Sequence, residues 1–332
     1  MRVQVAPFWR RPVGGTPGGG TRFGHSKDVT VKKPTTKWRG LVILAGVLIV
    51  AGLLLGACGG GGTDNGGTTT DQSTPKPGGT YNFVLGSDPV AIDPVLAYES
   101  EGMQVVHQVF ETLVKASVDD QGNVTPVAGL AESWETTDNQ TWTFHLKKCI
   151  TFAPPVSRAV TAQDFVDSWN FVTDEKNASN FSYVMAWVEG CADSGYAIDP
   201  KKGLTGISAP DDSTFVVKLK EPFAEFLSVL IVAVTGVQPV DYINKVGYRV
   251  YHEKPVGTGP YMVTDWKHKA SVELAKNPTY LDKANAGYVD SIHMPIITSS
   301  QTSWLQFQKG AVDYTNVQPG QVRAAQNMPQ VK

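Results

Sequence analysis

The residue types that could support chemistry in this chain are six histidines, three cysteines and one glycine-rich turn. The sequence contains no G-x-S-x-G, H-E-x-x-H, C-x-x-C, Walker A or dinucleotide-binding glycine motif. The turn Gly257–Pro260 lacks the Lys-Ser/Thr that follows a phosphate-binding loop. The histidines are scattered, at positions 25, 107, 145, 252, 268 and 293. We therefore predict a protein that is not an enzyme and that holds no metal or cofactor.

The charge distribution argues against nucleic acid as a partner. The 332 residues have a formal net charge of −2, but residues 1–40 hold nine Lys and Arg against one acidic residue. The rest of the chain therefore has 20 basic and 30 acidic residues. Such an acidic body lacks the basic face that binding to a phosphate backbone requires. With 41% hydrophobic and 18% charged residues, the composition is that of a globular protein.

Cys58 follows a run of 17 uncharged, mostly apolar residues, Leu41–Ala57, and precedes four glycines. A run of this length after basic residues is typical of a signal peptide or a short membrane span. Its ending, LGAC, resembles a bacterial lipobox, in which a peptidase cleaves before a cysteine that carries diacylglycerol. We predict that residues 1–57 are a lipoprotein signal peptide and that Cys58 is lipidated on the extracytoplasmic face of the cell membrane. A plain membrane helix that ends in cysteine is the alternative.

The stretch from Cys58 to residue 79 has no large apolar side chain. It cannot bury enough surface to offset the entropy of ordering, so we predict a flexible Gly/Thr-rich linker. The folded body is then expected to begin near Thr80.

Two further cysteines, Cys149 and Cys191, lie in this body. Outside the membrane two such thiols usually pair, and closing the loop between them would stabilise the fold by roughly 4 kcal/mol. We predict a disulfide, with two buried free cysteines as the alternative.

Alternation and helical spacing predict a mixed α/β body. Thr141–Leu146 alternates as a strand, with Trp142, Phe144 and Leu146 on one face. A helix is expected after Thr161, which can form a capping box with Asp164. Further elements are expected as a strand over Gly79–Gly86, a helix from about Glu101 and a strand over Phe215–Leu219.

Three blocks of sequence carry a family resemblance. The first is GLAESW at 129–134, with TWTFHLKK at 141–148 and VTAQDFVDSW at 160–169. The second is PVGTGPY at 255–261 with LAKNPTY at 274–280, and the third is FQKGAVDY at 307–314. In this order they resemble the extracytoplasmic solute-binding proteins of family 5, the oligopeptide- and dipeptide-binding components of ABC importers. The loop APPVSR at 153–158 departs from the family pattern, which has a Gly/Asp-containing turn there.

This resemblance implies a two-lobed, periplasmic-binding-protein-like (type II) α/β architecture. On this interpretation residues 80–116 form the first segment of lobe I, 117–225 an inserted lobe, and 226–332 the second segment of lobe I. Because family members are considerably longer, the chain is expected to stop before the distal C-terminal lobe. The resemblance also implies that the two lobes close around the ligand by hinge motion.

In peptide-binding members the ligand is held in extended form by main-chain hydrogen bonds, with wet pockets for its side chains. Carried over to this sequence, the resemblance implies eight ligand-binding residues: Ser87, Asp88, Tyr183, Trp187, Thr258, Gly259, Asn316 and Gln318. Core packing is the alternative for Tyr183 and Trp187, and a turn-forming carboxylate is the alternative for Asp88.

The resemblance implies a monomeric, lipid-anchored receptor that binds peptides and passes them to the permease subunits of an ABC transporter. A peptide-sensing lipoprotein without a role in transport is one alternative. The same fold binding a non-peptide solute, such as a nickel complex, haem, an opine or an oligosaccharide, is another. An enzyme would need an acid/base pair that the sequence does not reveal.

Overall fold

A computed structural model of the protein describes residues 76–328. The predicted signal peptide, the predicted lipidation site Cys58 and most of the predicted linker lie outside these residues. The strands are β1 (Thr80–Asn82), β2 (Val114–Val118), β3 (Val124–Ala128), β4 (Ala131–Glu135), β5 (Thr141–Leu146), β6 (Ile207–Asp211), β7 (Thr214–Lys218), β8 (Tyr261–Lys267), β9 (Ser271–Lys276) and β10 (Ser291–Pro295). The α-helices are α1 (Ser100–Val109), α2 (Ala162–Thr173), α3 (Phe226–Val229), α4 (Val240–Val246), α5 (Tyr248–Glu253), α6 (Ser300–Gln308) and α7 (Val322–Gln326).

The first sheet has the strand order β1-β10-β9-β8, so it combines segments from both ends of the described chain. β1 runs parallel to β10, and the other neighbours are antiparallel. Helix α1 follows β1; its first turn is capped by Glu99, which accepts a hydrogen bond from the Gly102 backbone at 3.0 Å. Val105, Val106 and Val109 are the buried valines of α1. The helix expected from about Glu101 is confirmed, and the strand expected over residues 79–86 is present but shorter than predicted.

The second sheet has the order β4-β5-β7-β6 and is antiparallel throughout. On β5, Trp142, Phe144 and Leu146 are buried, as the alternation predicted. Helix α2 packs on this sheet, with the Trp169 and Phe215 rings 5.0 Å apart in an edge-on contact. Asp164 accepts a hydrogen bond from the Thr161 backbone at 2.8 Å, so the predicted helix start is confirmed.

The chain passes from the first sheet to the second through residues 110–113. The backbones of Gly129 and Leu130 donate hydrogen bonds to Leu113 and Thr112, and the hairpin β2–β3 lies between these contacts. After β7 and α3–α5 the chain returns to the first sheet at β8. The predicted lobe boundaries at 116/117 and 225/226 stay a prediction.

The loop at residues 153–158, where the sequence departs from the family pattern, is fixed by Arg158. Its guanidinium donates two hydrogen bonds to Asp164 at 2.7 and 3.0 Å, and two more to Asp241 at 2.6 and 3.1 Å. It also lies 4.9 Å from the centre of the Phe152 ring. One planar side chain therefore ties this loop to both α2 and α4.

The predicted disulfide is wrong in this structure, because both cysteines are free thiols. Cys149 is exposed and follows the C-terminal end of β5. Cys191 is buried, and its backbone donates a hydrogen bond to Val188, which forms a β-bridge with Leu219. The Leu219 backbone in turn donates a hydrogen bond to Gln140, the residue just before the N-terminal end of β5. This six-residue strand is about 20 Å long, whereas a disulfide requires Cα atoms within about 7 Å.

Candidate ligand-binding surface

Ser87 and Asp88 lie in the turn that follows β1. Ser87 is exposed, and Asp88 is partly buried with its carboxylate engaged by protein groups. It accepts a hydrogen bond from Trp266 Nε1 at 3.0 Å and faces His268 Nδ1 at 3.2 Å. An approaching ligand would have to compete with these two partners, which connect the turn to β8 and the residue after it.

Asp93 and Glu99 also stabilise the segment at residues 86–99 by accepting hydrogen bonds from its backbone. Neither was among the residues predicted to bind a ligand. Asp93 is fully buried and accepts hydrogen bonds from the backbones of Val95 and Leu96. Glu99 accepts hydrogen bonds from the Val90 backbone at 2.9 Å as well as from α1. The Asp-Pro pairs at 88–89 and 93–94 were the available signal, since Asp side chains bond to their own turns.

The segment that follows α6 returns to the free edge of β1. Phe83 and Tyr314 form a parallel bridge, and their rings stack with centres 4.5 Å apart. Because both segments run in the same direction, Ser87 and Asn316 follow them at the same end of the sheet. Crevices outside the carboxyl ends of parallel strands are where open α/β sheets bind ligands.

Asn316 and Gln318 extend from this edge. Asn316 is exposed, and Gln318 lines a cavity of about 410 Å³ together with Ser299 and Trp304. Polar groups and one aromatic side chain therefore converge near the end of the first sheet.

Tyr183 and Trp187 lie in a 3₁₀ helix, Ser182–Trp187. Tyr183 is 56% exposed, and Trp187 is 37% exposed and stacks on Phe223 with ring centres 4.3 Å apart. The buried apolar side chains of this helix are Val184 and Met185, so the two aromatic residues present ring surface to solvent. Their predicted contact with a ligand stays a prediction.

Thr258 and Gly259 are buried against the end of α1, away from the exposed turn at Ser87. The Gly259 backbone donates a hydrogen bond to Val109 at 2.8 Å. A Cβ atom at Gly259 would lie 2.6 Å from the Gln108 carbonyl oxygen, so glycine is required by close backbone approach. The geometry gives this turn a packing role, and its predicted contact with a ligand stays a prediction.

Glu111 is an ionisable group that sequence reasoning missed. It lies on the crossing between the two sheets, and its carboxylate accepts a hydrogen bond from the Tyr280 hydroxyl at 3.2 Å. Burial raises the pKa of Glu111 to about 7, against the opposing effects of Tyr280, Lys115 and Lys147. No sequence pattern could reveal this environment, because Tyr280 is 169 residues away.

Within residues 76–328, no group of three or more His, Cys, Asp or Glu side chains is arranged to hold a metal ion. The same residues contain no helix with the length and apolar character needed to cross a bilayer.

The architecture is that of the periplasmic solute-binding proteins. The structure of Haemophilus influenzae OppA in complex with the peptide RPPGFSPFR superposes with a TM-score of 0.67 and 27% identity, over 76% of this chain and 49% of that one. The Escherichia coli murein tripeptide binding protein MppA superposes with a TM-score of 0.66 and 23% identity, over 76% of this chain and 49% of that one, and shows the fold alone.

Residues 125–332 match the family described as bacterial extracellular solute-binding proteins, family 5 Middle, and the chain belongs to this family. Among curated relatives, the oligopeptide-binding protein OppA of Bacillus subtilis is 29% identical over 86% of this chain and 51% of its own length. The periplasmic oligopeptide-binding protein OppA of Escherichia coli is 31% identical over 70% of this chain and 42% of its own length. The chain thus spans about half the length of the relatives it matches.

Proposed function

We propose that this chain is the substrate-binding component of an ABC importer, and that it captures oligopeptides or dipeptides in extended form outside the membrane. The observation that carries the proposal is the shared end of β1 and the Tyr314 segment, where the Ser87 turn and Asn316 follow parallel segments. Beyond these paired residues, an extended peptide could add at this end of the sheet through main-chain hydrogen bonds, as a further strand would. The relatives named as oligopeptide-binding proteins support the same class of ligand.

The proposed ligand contacts are those that the family resemblance implied, except Thr258 and Gly259, which are buried against α1. Ser87, Asn316 and Gln318 would bind the peptide backbone, because they offer polar side chains near the end of the first sheet. Tyr183 and Trp187 would contact its side chains through their exposed rings. Asp88 would contribute only after giving up one of its present partners.

Calorimetric titration of the chain with tripeptides and dipeptides tests the proposal, with nickel, haem and a short oligosaccharide as the other ligands. We expect saturable binding of the peptides and none of the other solutes. Trp187→Ala should weaken peptide binding, whereas Tyr288→Ala, at an exposed tyrosine outside the proposed contacts, should leave it unchanged. Tight binding of a non-peptide solute with no response to peptides would contradict the proposed ligand class.

We further propose that Cys58 carries the lipid anchor, on the basis of the apolar run and small residues that precede it. Cys58→Ser should leave an uncleaved precursor that no longer incorporates labelled fatty acid. Unchanged processing and labelling would contradict the anchor. Uptake of a labelled tripeptide by a deletion strain separates transport from sensing, since a pure sensor would leave uptake intact.

A further inference from the structure

Two histidines face the segment Gly86–Glu99 from elements far away in the sequence. His268, which directly follows β8, places Nδ1 3.2 Å from Asp88 Oδ2 and Nε2 3.1 Å from Glu253 Oε2 on α5. A neutral imidazole has one N–H group, and only the imidazolium can donate to both carboxylates at once. This arrangement is therefore complete only when His268 is protonated.

His252 on α5 makes the second connection. Its Nδ1 lies 2.5 Å from Oδ2 of the buried Asp93, and the Tyr248 hydroxyl donates to Oδ1 of the same carboxylate at 2.9 Å. The hydrogen bond with Asp93 raises the pKa of His252 above its usual value, against the opposing effect of burial. A charge-assisted bond to a buried carboxylate is stronger than its neutral counterpart.

Trp266 links the two histidines into one unit. Its indole lies between them, with its ring centre 4.2 Å from that of His268 and 6.1 Å from that of His252, and its Nε1 donates to Asp88. The charged groups that face the two imidazoles are Asp88 and Asp93 from the segment and Glu253 from α5. All three are acidic, so each can accept a hydrogen bond from an imidazole N–H group.

Other charged groups beside this unit are already engaged. Lys267 pairs with Asp265 at 3.4 Å, and Glu99 accepts hydrogen bonds from backbone groups of its own segment. Within the described residues the two histidines thus connect α5 and β8 to the segment that carries Ser87.

We propose that His252 and His268 are positioning residues that form a proton-dependent clamp on the segment Gly86–Glu99. With both imidazoles charged, the clamp fixes the Ser87 turn against α5 and β8. On deprotonation His268 loses one of its two carboxylate bonds and the clamp loosens. Where the lost bond is the one to Asp88, that carboxylate keeps only Trp266 Nε1 as a partner and can accept a positively charged ligand group. The last step rests on the proposed function, whereas the clamp itself does not.

Hydrogen–deuterium exchange of the full chain without ligand tests the clamp. Backbone exchange in residues 86–99 is measured at pH 5.5 and pH 8.5, with labelling times scaled for the intrinsic effect of pH. We expect exchange in this segment to be at least about threefold faster at pH 8.5, the size of effect that a partly exposed ion pair supports. Equal protection at the two pH values would overturn the proposal.

Variants separate the clamp from a general effect of pH. His268→Gln should show fast exchange in residues 86–99 at both pH values, because glutamine cannot take up a proton. His145→Gln is the matched control, since His145 lies on β5 and faces Glu135 at 3.7 Å, and it should keep the wild-type profile. A wild-type profile in His268→Gln, or the same change in His145→Gln, would contradict the proposal.

A second variant and a second readout complete the test. His252→Gln should also lose the pH dependence; if the loss of the partner of buried Asp93 prevents folding, the half-exposed His268 carries the test alone. Peptide affinity is then measured at both pH values. A chain that keeps the exchange profile but binds no peptide would contradict the proposed function while supporting the clamp.

Discussion

At the scale of single residues, Glu111 shows how the fold changes the chemistry of a side chain. Burial disfavours its ionised form, and the resulting pKa of about 7 lies above the ordinary value of 4.5. Between these two values the folded state binds more protons than the unfolded state. Stability therefore falls as the pH rises from about 4.5 to 7, and stays reduced above that range.

Glu111→Gln removes this titration while keeping a group of the same shape. We expect the variant to be more stable than the wild type at pH 8, by about 1 to 3 kcal/mol, and to differ little at pH 4.5. Urea unfolding at both pH values measures the difference. A variant that is less stable than the wild type at pH 8 would show that the ionised carboxylate is net stabilising.

The two free cysteines differ in exposure, and this difference predicts their reactivity. Burial raises the pKa of the Cys191 thiol to about 11, so its reactive thiolate is scarce at neutral pH. Cys149 is exposed. Iodoacetamide should therefore label Cys149 in the native protein without reductant, and should label Cys191 only after unfolding. Recovery of the two as a linked peptide would contradict the structure.

Some residue contacts could be predicted from the sequence and others could not. The cap between Thr161 and Asp164 is local, and the spacing of the two residues gave it directly. The side-chain partners of Asp88 and Asp93 lie 155 to 180 residues away, so no local pattern indicates them. Sequence reasoning thus found the turn but not the groups that occupy its carboxylates.

At the scale of elements, β5 and α2 could be predicted from local periodicity, because each has one face buried in the core around the second sheet. The disulfide predicted between Cys149 and Cys191 was wrong because local periodicity does not give the distance between two elements. Both cysteines fall within the predicted inserted lobe. The distance between them depends on which end of β5 each one lies near, and this is set by strand pairing.

Arg158 connects three elements, so its substitution tests how the loop at residues 153–158 is held. Arg158→Ala should lower the free energy of unfolding by about 2 kcal/mol, because the largely buried Asp164 loses its cationic partner and keeps only its hydrogen bonds with Thr161. Arg158→Lys should recover only part of this loss, since an ammonium group cannot form the paired bonds to both carboxylates. Urea unfolding provides the measurement.

Lys176→Ala is the matched control for these variants. Lys176 pairs with Asp174 at 2.6 Å, but the lysine side chain is 74% exposed. The loss of such an exposed pair should cost less than about 0.5 kcal/mol. If Arg158→Ala proves as mild as this control, the Arg158 network does not stabilise the loop.

At the scale of the whole molecule, the ordered sequence blocks identified the family, and the fold agrees with it. The sequence blocks did not show which of the predicted ligand-binding residues lie together in the fold. The structure brings the Ser87 turn and Asn316 to one end of the first sheet, but buries Thr258 and Gly259 against α1. Residues in a motif shared with a family can serve packing as well as binding, and only the tertiary contacts distinguish the two.

If a peptide binds at the carboxyl end of β1, it should protect the neighbouring backbone, and a hydrogen-exchange footprint measures this protection. A tripeptide is added to the wild-type chain at saturating concentration, and free alanine serves as the control ligand. We expect slower exchange at residues 86–90 and 314–318 with the tripeptide and no change with alanine. Binding without protection of either segment, or protection confined to other parts of the chain, would contradict it.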